Sequence, residues 1–474
     1  MSATAPAGAP GASGLPPAEA VVDAALAASS QAACVVLVDD SSEAEVRFAN
    51  NTVTTNGTRR DRRVTVVSFH EHDGGTSVGV AREGGRVVVE DLVRAAEADA
   101  LASPPAADAY DLVVPPDVPP APVAETADST DLSIFSTAIP ELGQAFARAR
   151  SGGWVLAGFA EHGVGSTLLG SSTGLRLRHV QPTGALHLVA RSPDGGRSSW
   201  VGAGTDDFSD VSVAQLEERL LRRYEWSARH FDLDAGRYEV LLPPAAVADL
   251  MVIAVEAMSG RDAEEGRSVY SGPTGGTRVG ERLSPLVLDL RSDPDEPGLE
   301  CSPFLATAVS SSDVSVFDNG LPLGPTTWLG GGVLERLRYH RAGAARSGVL
   351  PTAPVDNLVL ELPGAATTAD DMIEGTERGL LLTCLWYIRE VDPSTLLVTG
   401  LTRDGVYLVE DGEVRGAVNN FRFNESPVDL LGRASEVSRS ERTLGRELGE
   451  WYNRTSMPAM RVPDFNMSSV SPAS

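Results

Sequence analysis

The segment Tyr238–Gly260, YEVLLPPAAVADLMVIAVEAMSG, has the pattern of a buried strand followed directly by a helix. Tyr238–Leu242 is a mainly apolar run of strand length. Pro243-Pro244 then favours the start of a helix, because proline has no N–H and the first helical turn leaves its N–H groups unbonded. The apolar run after it predicts a helix over Ala245–Met258, and Gly260 just beyond predicts a left-handed C-cap.

The chain that follows this segment is Gly-rich and mostly extended in pattern. Gly405–Val414 is a predicted hairpin that turns at Asp411-Gly412. Helices are predicted over Asp370–Leu382 and Ser435–Trp451. Residues 236–474 are therefore expected to form a mainly antiparallel, β-rich C-terminal domain.

The chain before the segment shows a helix followed by a run of strands, and this order occurs twice. The predicted helices are Ala18–Ser30, Glu90–Leu101, Glu141–Ala149 and Val213–Phe231, the last capped by Ser212 or Asp210. The predicted strands are Cys34–Val38, Glu45–Phe48, Thr52–Thr54, Arg63–Phe69, Ser77–Ala81, Arg86–Val89, Trp154–Phe159, Gly165–Leu169, Leu175–Val180, Ala185–Arg191 and Ser198–Ala203. Turns are expected at Asn50-Asn51 and Asn56-Gly57.

These patterns predict an α+β fold. Residues 17–235 are expected to form an N-terminal α/β region of helices and mixed or antiparallel strands, interrupted by a Pro-rich extended connection over residues 103–128. Residues 1–16, rich in Ala, Gly, Pro and Ser, are expected to be a disordered tail. The recurrence leaves two interpretations open, an internal repeat and two unrelated α+β stretches.

The composition excludes several classes of function. The chain has 474 residues, a formal net charge of −26 and no lysine. Such acidity repels nucleic acid and anionic lipid, so neither nucleic acid nor a membrane is an expected partner. Cys34, Cys301 and Cys384 follow no CxxC spacing and predict neither a disulfide framework nor a Cys-based zinc site. The chain shows no signal-peptide pattern and no apolar run near the roughly 20 residues of a membrane span, so a soluble cytoplasmic protein is expected.

Histidine positions give weak signals of a site. His70 and His72 share one face of a predicted strand, but a zinc site needs three or four ligands, so a polar strand face is favoured. Glu161-His162 lies in a loop-like stretch that could contact a peptide, and a turn histidine is favoured there. His230 and His340 have no partners by spacing. No glycine cluster has the spacing of a P-loop or of a GxSxG serine nucleophile.

Several motifs together resemble one family. They are VEAMSG at Val255–Gly260, EVRFANNTVTTNG at Glu45–Gly57, TGLTRDGVYLVEDGEVRG at Thr399–Gly416, Val418–Asn424, and Trp386–Arg389 followed by Asp392-Pro393. In identity and order these motifs resemble the TldD/TldE (PmbA) metalloprotease family, and within it the TldE-type subunit. The resemblance runs along most of the chain.

The resemblance also shows where this chain departs from active family members, which carry His-Glu-x-x-x-His at the VEAMSG position. Val255 and Gly260 stand at the two histidine positions, and Glu256 stands at the glutamate. Active members also carry a cysteine near the C-terminus, whereas this chain has no Cys or His after Cys384. Valine and glycine side chains offer zinc no lone pair. No catalytic residue, metal or cofactor is therefore expected in this chain, and Glu256 is expected to be a partly exposed helical residue.

By this resemblance, the chain is a non-catalytic subunit that forms a heterodimer with a TldD-like metalloprotease, and the zinc lies in that partner. The pair would enclose peptide or unfolded-protein substrates for proteolysis or peptide maturation. Two alternatives stay open. One is a divergent metallopeptidase active by itself through residues such as His70, His72 or Glu256. The other is a free-standing peptide-binding or regulatory protein.

Overall fold

The computed structural model describes residues 14–31, 33–115 and 129–471. Residues 1–13 of the expected tail and residues 116–128 of the expected Pro-rich connection lie outside these ranges. The described elements form an α+β fold, as predicted. One sheet is built from strands within residues 33–205, and two others from strands within residues 230–470. The predicted domain limits themselves stay a prediction.

The first half of the chain alternates helices with long strands. Its elements are α1 Ala18–Ala28, β1 Ala33–Ala49, β2 Thr52–His72, β3 Gly75–Gly84, α2 Val89–Ala102, a 3-10 turn Leu132–Phe135, α3 Ala138–Gly152, β4 Val155–Ser171, β5 Arg176–Arg191, β6 Ser198–Thr205 and α4 Val213–Trp226. The strands form an antiparallel sheet in the order β3-β2-β1-β4-β5-β6. The order helix, three strands, helix therefore occurs twice, and the first strands of the two units pair at the centre of the sheet, as an internal repeat would predict.

Several predicted short strands are parts of longer ones. Asn50 and Asn51 do turn the β1–β2 hairpin, with φ angles of 50° and 61°. The turn predicted at Asn56-Gly57 is wrong, because these residues pair with Val46 and Glu45 inside β2. Both are exposed there, so no packing opposes the continuation of the strand. The extended segment predicted at Arg86–Val89 is also wrong, since α2 begins at its last residue.

The second half of the chain is β-rich, as predicted. Its strands are β7 His230–Phe231, β8 Gly236–Leu242, β9 Asp289–Ser292, β10 Thr326–Gly330, β11 Val333–Leu334, β12 Leu358–Glu361, β13 Arg378–Leu382, β14 Leu385–Asp392, β15 Leu397–Thr402, β16 Val406–Glu410, β17 Glu413–Val418, β18 Phe421–Glu425, β19 Glu436–Val437, β20 Glu441–Thr443, β21 Thr455–Met457 and β22 Met460–Val470. Its helices are α5 Pro244–Glu256, α6 Gly260–Glu264, α7 Arg341–Ser347, α8 Ala369–Glu374 and α9 Pro427–Arg433, with a 3-10 turn at Val316–Asp318.

Helix α5 lies in the core between the two C-terminal sheets. One sheet has the order β11-β10-β9-β12-β21-β20, and the other runs β14-β15-β18-β22-β8-β13-β16-β17-β7, with β19 on β22. The helix contacts β20 and β21 of the first sheet and β8 of the second. Its apolar residues are buried on nearly every side, including Ala246–Ala248, Leu250–Val252 and Ala254–Val255. The strand–Pro-Pro–helix pattern therefore does mark the centre of this half.

Three predicted helices in or near this half need correction. The helix predicted to Phe231 ends at Trp226, and Phe231 lies in β7. Of the helix predicted over Asp370–Leu382, only the first turns form α8, and the apolar remainder is β13. The helix predicted over Ser435–Trp451 is absent, and β19, β20 and turns occupy this stretch of the described chain. None of the helices that the structure describes is both long enough and apolar enough to cross a bilayer.

Helix α2 packs on the sheet over Gly79 of β3, so closely that a Cβ there would overlap the carbonyl oxygen of Ala96 and the backbone nitrogen of Ala100. We expect Gly79→Ala to lower the free energy of unfolding by about 1–3 kcal/mol, because the helix must move away from the sheet. Gly165→Ala in β4, where a Cβ meets nothing within 4 Å, is the matched control and should change stability little. Urea denaturation of both variants tests this, and equal midpoints would contradict it.

Candidate functional site

The VEAMSG motif occupies the junction of two helices. Helix α5 ends at Glu256, and α6 begins at Gly260. Ser259 caps α6, because its Oγ accepts a hydrogen bond from the N–H of Asp262 at 3.2 Å. Val255, at the first histidine position, is buried in the apolar core.

Gly260, at the second histidine position, does not form the predicted left-handed C-cap. It starts α6, and it is not among the glycines with a positive φ. A Cβ there would overlap the ring of Tyr339 and lie 2.5 Å from its Cε1 atom. The ring is held in place, since the Tyr339 hydroxyl donates to Glu264 Oε1 at 2.8 Å and the Gly260 N–H donates to the carbonyl of Arg338 at 2.9 Å. Glycine is therefore required here by close packing.

Glu256 faces a buried guanidinium. Arg338 Nη1 lies 3.1 Å from Glu256 Oε1, and its Nη2 donates to the Glu256 carbonyl oxygen. Arg338 Nε lies 2.7 Å from Asp313 Oδ2. The Arg338 side chain is only 6% exposed, so its permanent charge is balanced by two carboxylates in a largely dry setting. Glu256 is itself partly exposed, as expected from the sequence.

These residues do not fit a zinc ion. Val255 and Gly260 have no ligand atoms, and the carboxylate of Glu256 is already paired with the guanidinium of Arg338. A dication beside that guanidinium would be repelled. No three His, Cys, Asp or Glu side chains in residues 14–31, 33–115 and 129–471 come together as a metal-binding group. The statement that this chain binds no metal stays a prediction.

The other histidines have structural partners. The rings of His70 and His72 stack with centroids 6.0 Å apart, so they do share one strand face, and His70 Nδ1 lies 3.0 Å from Gln31 Oε1. His340 caps α7, with its Nδ1 accepting from the N–H of Gly343 at 3.1 Å. His230 Nε2 lies 3.3 Å from Asp232 Oδ1 at the surface.

Glu161-His162 lies on strand β4, so the loop predicted there is wrong. His162 is buried, and its ring nitrogens lie 2.8 Å from Thr130 Oγ1 and 2.7 Å from the carbonyl of Asp206. Both residues line a cavity of about 370 Å³ on the sheet, together with Glu43, Ala44, Glu45, Arg47, Gly163, Thr183 and Gly184. Burial, together with the charges of Glu450, Glu45 and Glu43, raises the pKa of Glu161 to about 7.

Comparisons with known proteins agree with this architecture. Residues 235–469 match the family described as PmbA/TldA metallopeptidase C-terminal domain. The chain belongs to the PmbA/TldD family. The match spans the strand–Pro-Pro–helix segment, the VEAMSG motif and the hairpin that turns at Asp411-Gly412.

Solved structures with this PmbA/TldD fold resemble the whole chain at low identity. TldE from Thermococcus kodakarensis is 18% identical with a TM-score of 0.76, covering 94% of this chain and 99% of its own. A protein described as a proposed modulator of a DNA gyrase, from Thermotoga maritima, is 17% identical with a TM-score of 0.74 and covers 94% and 99%. A similarly described protein from Bacteroides thetaiotaomicron is 15% identical with a TM-score of 0.73 and covers 96% and 98%. No curated protein matches the chain significantly.

Sequence reasoning missed the groups that fill the family's motif in this chain. Arg338, Tyr339 and Asp313 are far from VEAMSG in sequence and carry no local pattern. Asp249 was also missed, although the sequence did carry a signal for it: it is the one acidic residue within the apolar run of α5. Its fully buried carboxylate accepts from the N–H groups of residues 446, 447 and 448 at 2.9 to 3.2 Å. Burial raises the pKa of Asp249 to about 7, and these hydrogen bonds partly oppose that rise.

The contact between Gly260 and Tyr339 can be tested in this PmbA/TldD family member. We expect Gly260→Ala to lower the free energy of unfolding by about 1–3 kcal/mol, since the added methyl group overlaps the ring. The double variant with Tyr339→Leu should lose less free energy of unfolding than the two single variants together, because leucine leaves room for the added methyl group. Gly324→Ala, where a Cβ meets nothing within 4 Å, is the control. Strict additivity in urea denaturation would rule out this packing.

The raised pKa of Glu161 predicts a pH dependence. Its pKa of about 7 exceeds the ordinary value, so the folded chain binds more protons than the unfolded chain between about pH 4.5 and 7. Stability should therefore fall as the pH rises through this window and level off above it. Glu161→Gln should flatten the fall in urea midpoint, although not fully, because Asp249 acts in the same direction. Exposed Glu83→Gln is the control, and an unchanged slope in Glu161→Gln would contradict the assignment.

Proposed function

We propose that this chain is a TldE-type, non-catalytic subunit that assembles in the cytoplasm with a TldD-like zinc metalloprotease. In this role it helps to bind and enclose peptide substrates, and the partner performs the hydrolysis. Family membership supports a link to peptidase chemistry. The specific role is our inference from the local geometry of the VEAMSG motif.

The observation that carries the proposal is the filling of the motif by other side chains. The ring of Tyr339 occupies the space that a side chain at position 260 would need. The guanidinium of Arg338 pairs with Glu256, the residue that would otherwise act as a general base. A base that is paired with a permanent cation, beside Val255 and Gly260 whose side chains offer no metal ligand, is not suited to the peptidase step. The surrounding fold is nevertheless complete, which favours a role in assembly.

Exposed aromatic side chains in the C-terminal half support a protein partner. Tyr387 and Trp451 are 54% and 63% exposed. They flank the loop that carries Glu447, whose carboxylate accepts from the N–H of Tyr387 at 3.1 Å and from Arg389 Nη1 at 3.0 Å. Aromatic residues are enriched in protein interfaces, where they bury large areas. A partner that covers these two side chains would remove apolar surface from water.

Two other functions fit specific features less well. A divergent metallopeptidase would need a third ligand beside His70 and His72, and none of the described residues supplies one. A free-standing peptide-binding protein would retain the same fold but would gain nothing from the exposed aromatic pair. Stoichiometric zinc that is lost in His70→Ala would favour the first, and peptide binding without any protease partner would favour the second.

We expect the purified chain alone to show no chelator-sensitive peptidase activity and no stoichiometric zinc. Co-expressed with a homologue that carries His-Glu-x-x-x-His, it should co-purify and raise peptide turnover by that partner.

The double variant Trp451→Ser, Tyr387→Ser should weaken co-purification, because truncating an aromatic anchor commonly lowers affinity about 10-fold or more. Leu350→Ser, at a residue that is 68% exposed elsewhere, is the control. Equal turnover by the partner with and without this chain would refute the proposal.

A further inference from the structure

A second cavity lies where the N-terminal sheet meets the C-terminal sheet. Its volume is about 310 Å³, which is at the low end for small-molecule pockets and enough for the last residue of a peptide. The turn between β5 and β6 forms one side, and the start of β16 and the end of β17 form the other. The polar residues that matter here are Arg197, Ser198, His230, Arg403, Asp404 and Asn419. We call this cavity the junction cleft.

Arg403 enters the junction cleft from a tightly constrained turn between β15 and β16. The next two residues, Asp404 and Gly405, have φ angles of 50° and 135°. A Cβ at Gly405 would overlap Thr383 Oγ1, and this hydroxyl donates to the Gly405 carbonyl oxygen at 2.9 Å. The turn is therefore held against β13 and β14. Arg403 lies in the motif TGLTRDGVYLVEDGEVRG.

Charges in the junction cleft favour an anion. The guanidinium of Arg403 has no ion pair or side-chain hydrogen bond with any residue of the described ranges. The carboxylate of Asp404, the nearest acid in sequence, accepts a hydrogen bond from the Ser198 hydroxyl instead. Arg197 donates to Tyr224 Oη at 2.9 Å and lies over its ring, and the carboxylate on which its charge acts is Asp194 in the same turn. In a chain with a net charge of −26, an arginine such as Arg403, with no ion pair among the described residues, is unusual in a cleft.

The side-chain amide of Asn419 independently indicates that the junction cleft binds a hydrogen-bond acceptor. Its Oδ1 accepts from the N–H of Leu233 at 2.7 Å, and this bond fixes the orientation of the amide. The Nδ2 atom is then a buried donor, and it makes no hydrogen bond within the described part of the chain. A buried donor without an acceptor costs about 1–3 kcal/mol, so a ligand oxygen there would be stabilising.

We propose that the junction cleft binds a peptide carboxylate, with Arg403 as the main ion-pair partner and Asn419 as an additional donor. A guanidinium binds a carboxylate through two parallel hydrogen bonds, which an ammonium cannot do. The carboxylate comes from the C-terminus of a peptide or from an Asp or Glu side chain, and these sources share the same chemistry. The inference rests on the proposed function only in taking the ligand to be a peptide.

The test uses the full chain and three fluorescein-labelled versions of one pentapeptide, Ala-Ser-Ala-Ala-Phe. The first has a free C-terminal carboxylate, the second is amidated, and the third is amidated with Glu in place of Phe. We expect the first or third peptide to bind about 10-fold more tightly than the second in fluorescence anisotropy, because a charge-assisted hydrogen bond is worth roughly that factor or more. Preference for the first assigns the C-terminal carboxylate, and preference for the third assigns an acidic side chain.

Variants separate the junction cleft from other basic surfaces. Arg403→Gln should remove the preference for a carboxylate, and Arg378→Gln, on an exposed arginine that pairs with Glu410, should keep it. Asn419→Asp places a carboxylate in the cleft and should abolish the preference as well, which provides a second variant if Arg403→Gln does not fold. Equal binding of all three peptides by the native chain, or an unchanged preference in Arg403→Gln and Asn419→Asp, would overturn the inference.

The outcome is independent of the subunit proposal. Co-purification with a His-Glu-x-x-x-His homologue is measured separately for the native chain and for Arg403→Gln. A chain that assembles but shows no preference for a carboxylate overturns only the junction-cleft inference. A chain that prefers the carboxylate but never assembles overturns the subunit proposal and leaves the cleft assigned.

Discussion

The carboxylate of Asp249 holds the C-terminal half together around helix α5. It lies inside the apolar core and accepts from three consecutive backbone N–H groups, at residues 446–448. Burying a carboxylate is costly unless such donors surround it, and here they replace the hydration shell. The loop that supplies them leads through the chain to β21, which packs against α5. The other side chains of α5 up to Val255 are apolar, so Asp249 is the polar side chain that ties the middle of the helix to this loop.

The position of α5 in turn determines which side chains surround the VEAMSG motif. The C-terminal end of this buried helix meets the segment around Arg338, whose backbone bonds to Met258 and Gly260 inside the motif. The ring of Tyr339 therefore fills the space beside Gly260, and the guanidinium of Arg338 pairs with Glu256. The permanent charge of Arg338 is balanced by the carboxylates of Glu256 and Asp313. The same packing that stabilises the fold fills the space beside position 260 and pairs Glu256 with Arg338.

Local patterns in the sequence predicted what local physics determines. Backbone preferences of a few residues account for the turns at Asn50-Asn51 and Asp411-Gly412 and for the start of α5 at Pro244. The resemblance of the motifs to a known family predicted the overall fold. The helix predicted over Ser435–Trp451 is wrong because β19 and β20 pair with other strands there, and the N–H groups of residues 446–448 bond to Asp249, nearly two hundred residues earlier. The pairing of Arg338 with Glu256 could not be predicted either, because it depends on how two distant segments meet and has no local signature.

The junction between the two halves is polar, and this limits which substitutions can be interpreted. Arg446, whose N–H bonds to Asp249, lays its guanidinium over Trp200 of the N-terminal sheet and Trp386 of the C-terminal sheet, 5.3 and 4.4 Å from the ring centroids. Ion pairs from Arg222 to Asp370 and from Arg442 to Asp206 span the same junction. A substitution at Asp249 or Arg446 would disturb both the core around α5 and the junction between the halves. A change in peptide binding could then come from either disturbance. Arg403 belongs to none of these contacts, so its guanidinium can be removed while the two halves stay in place.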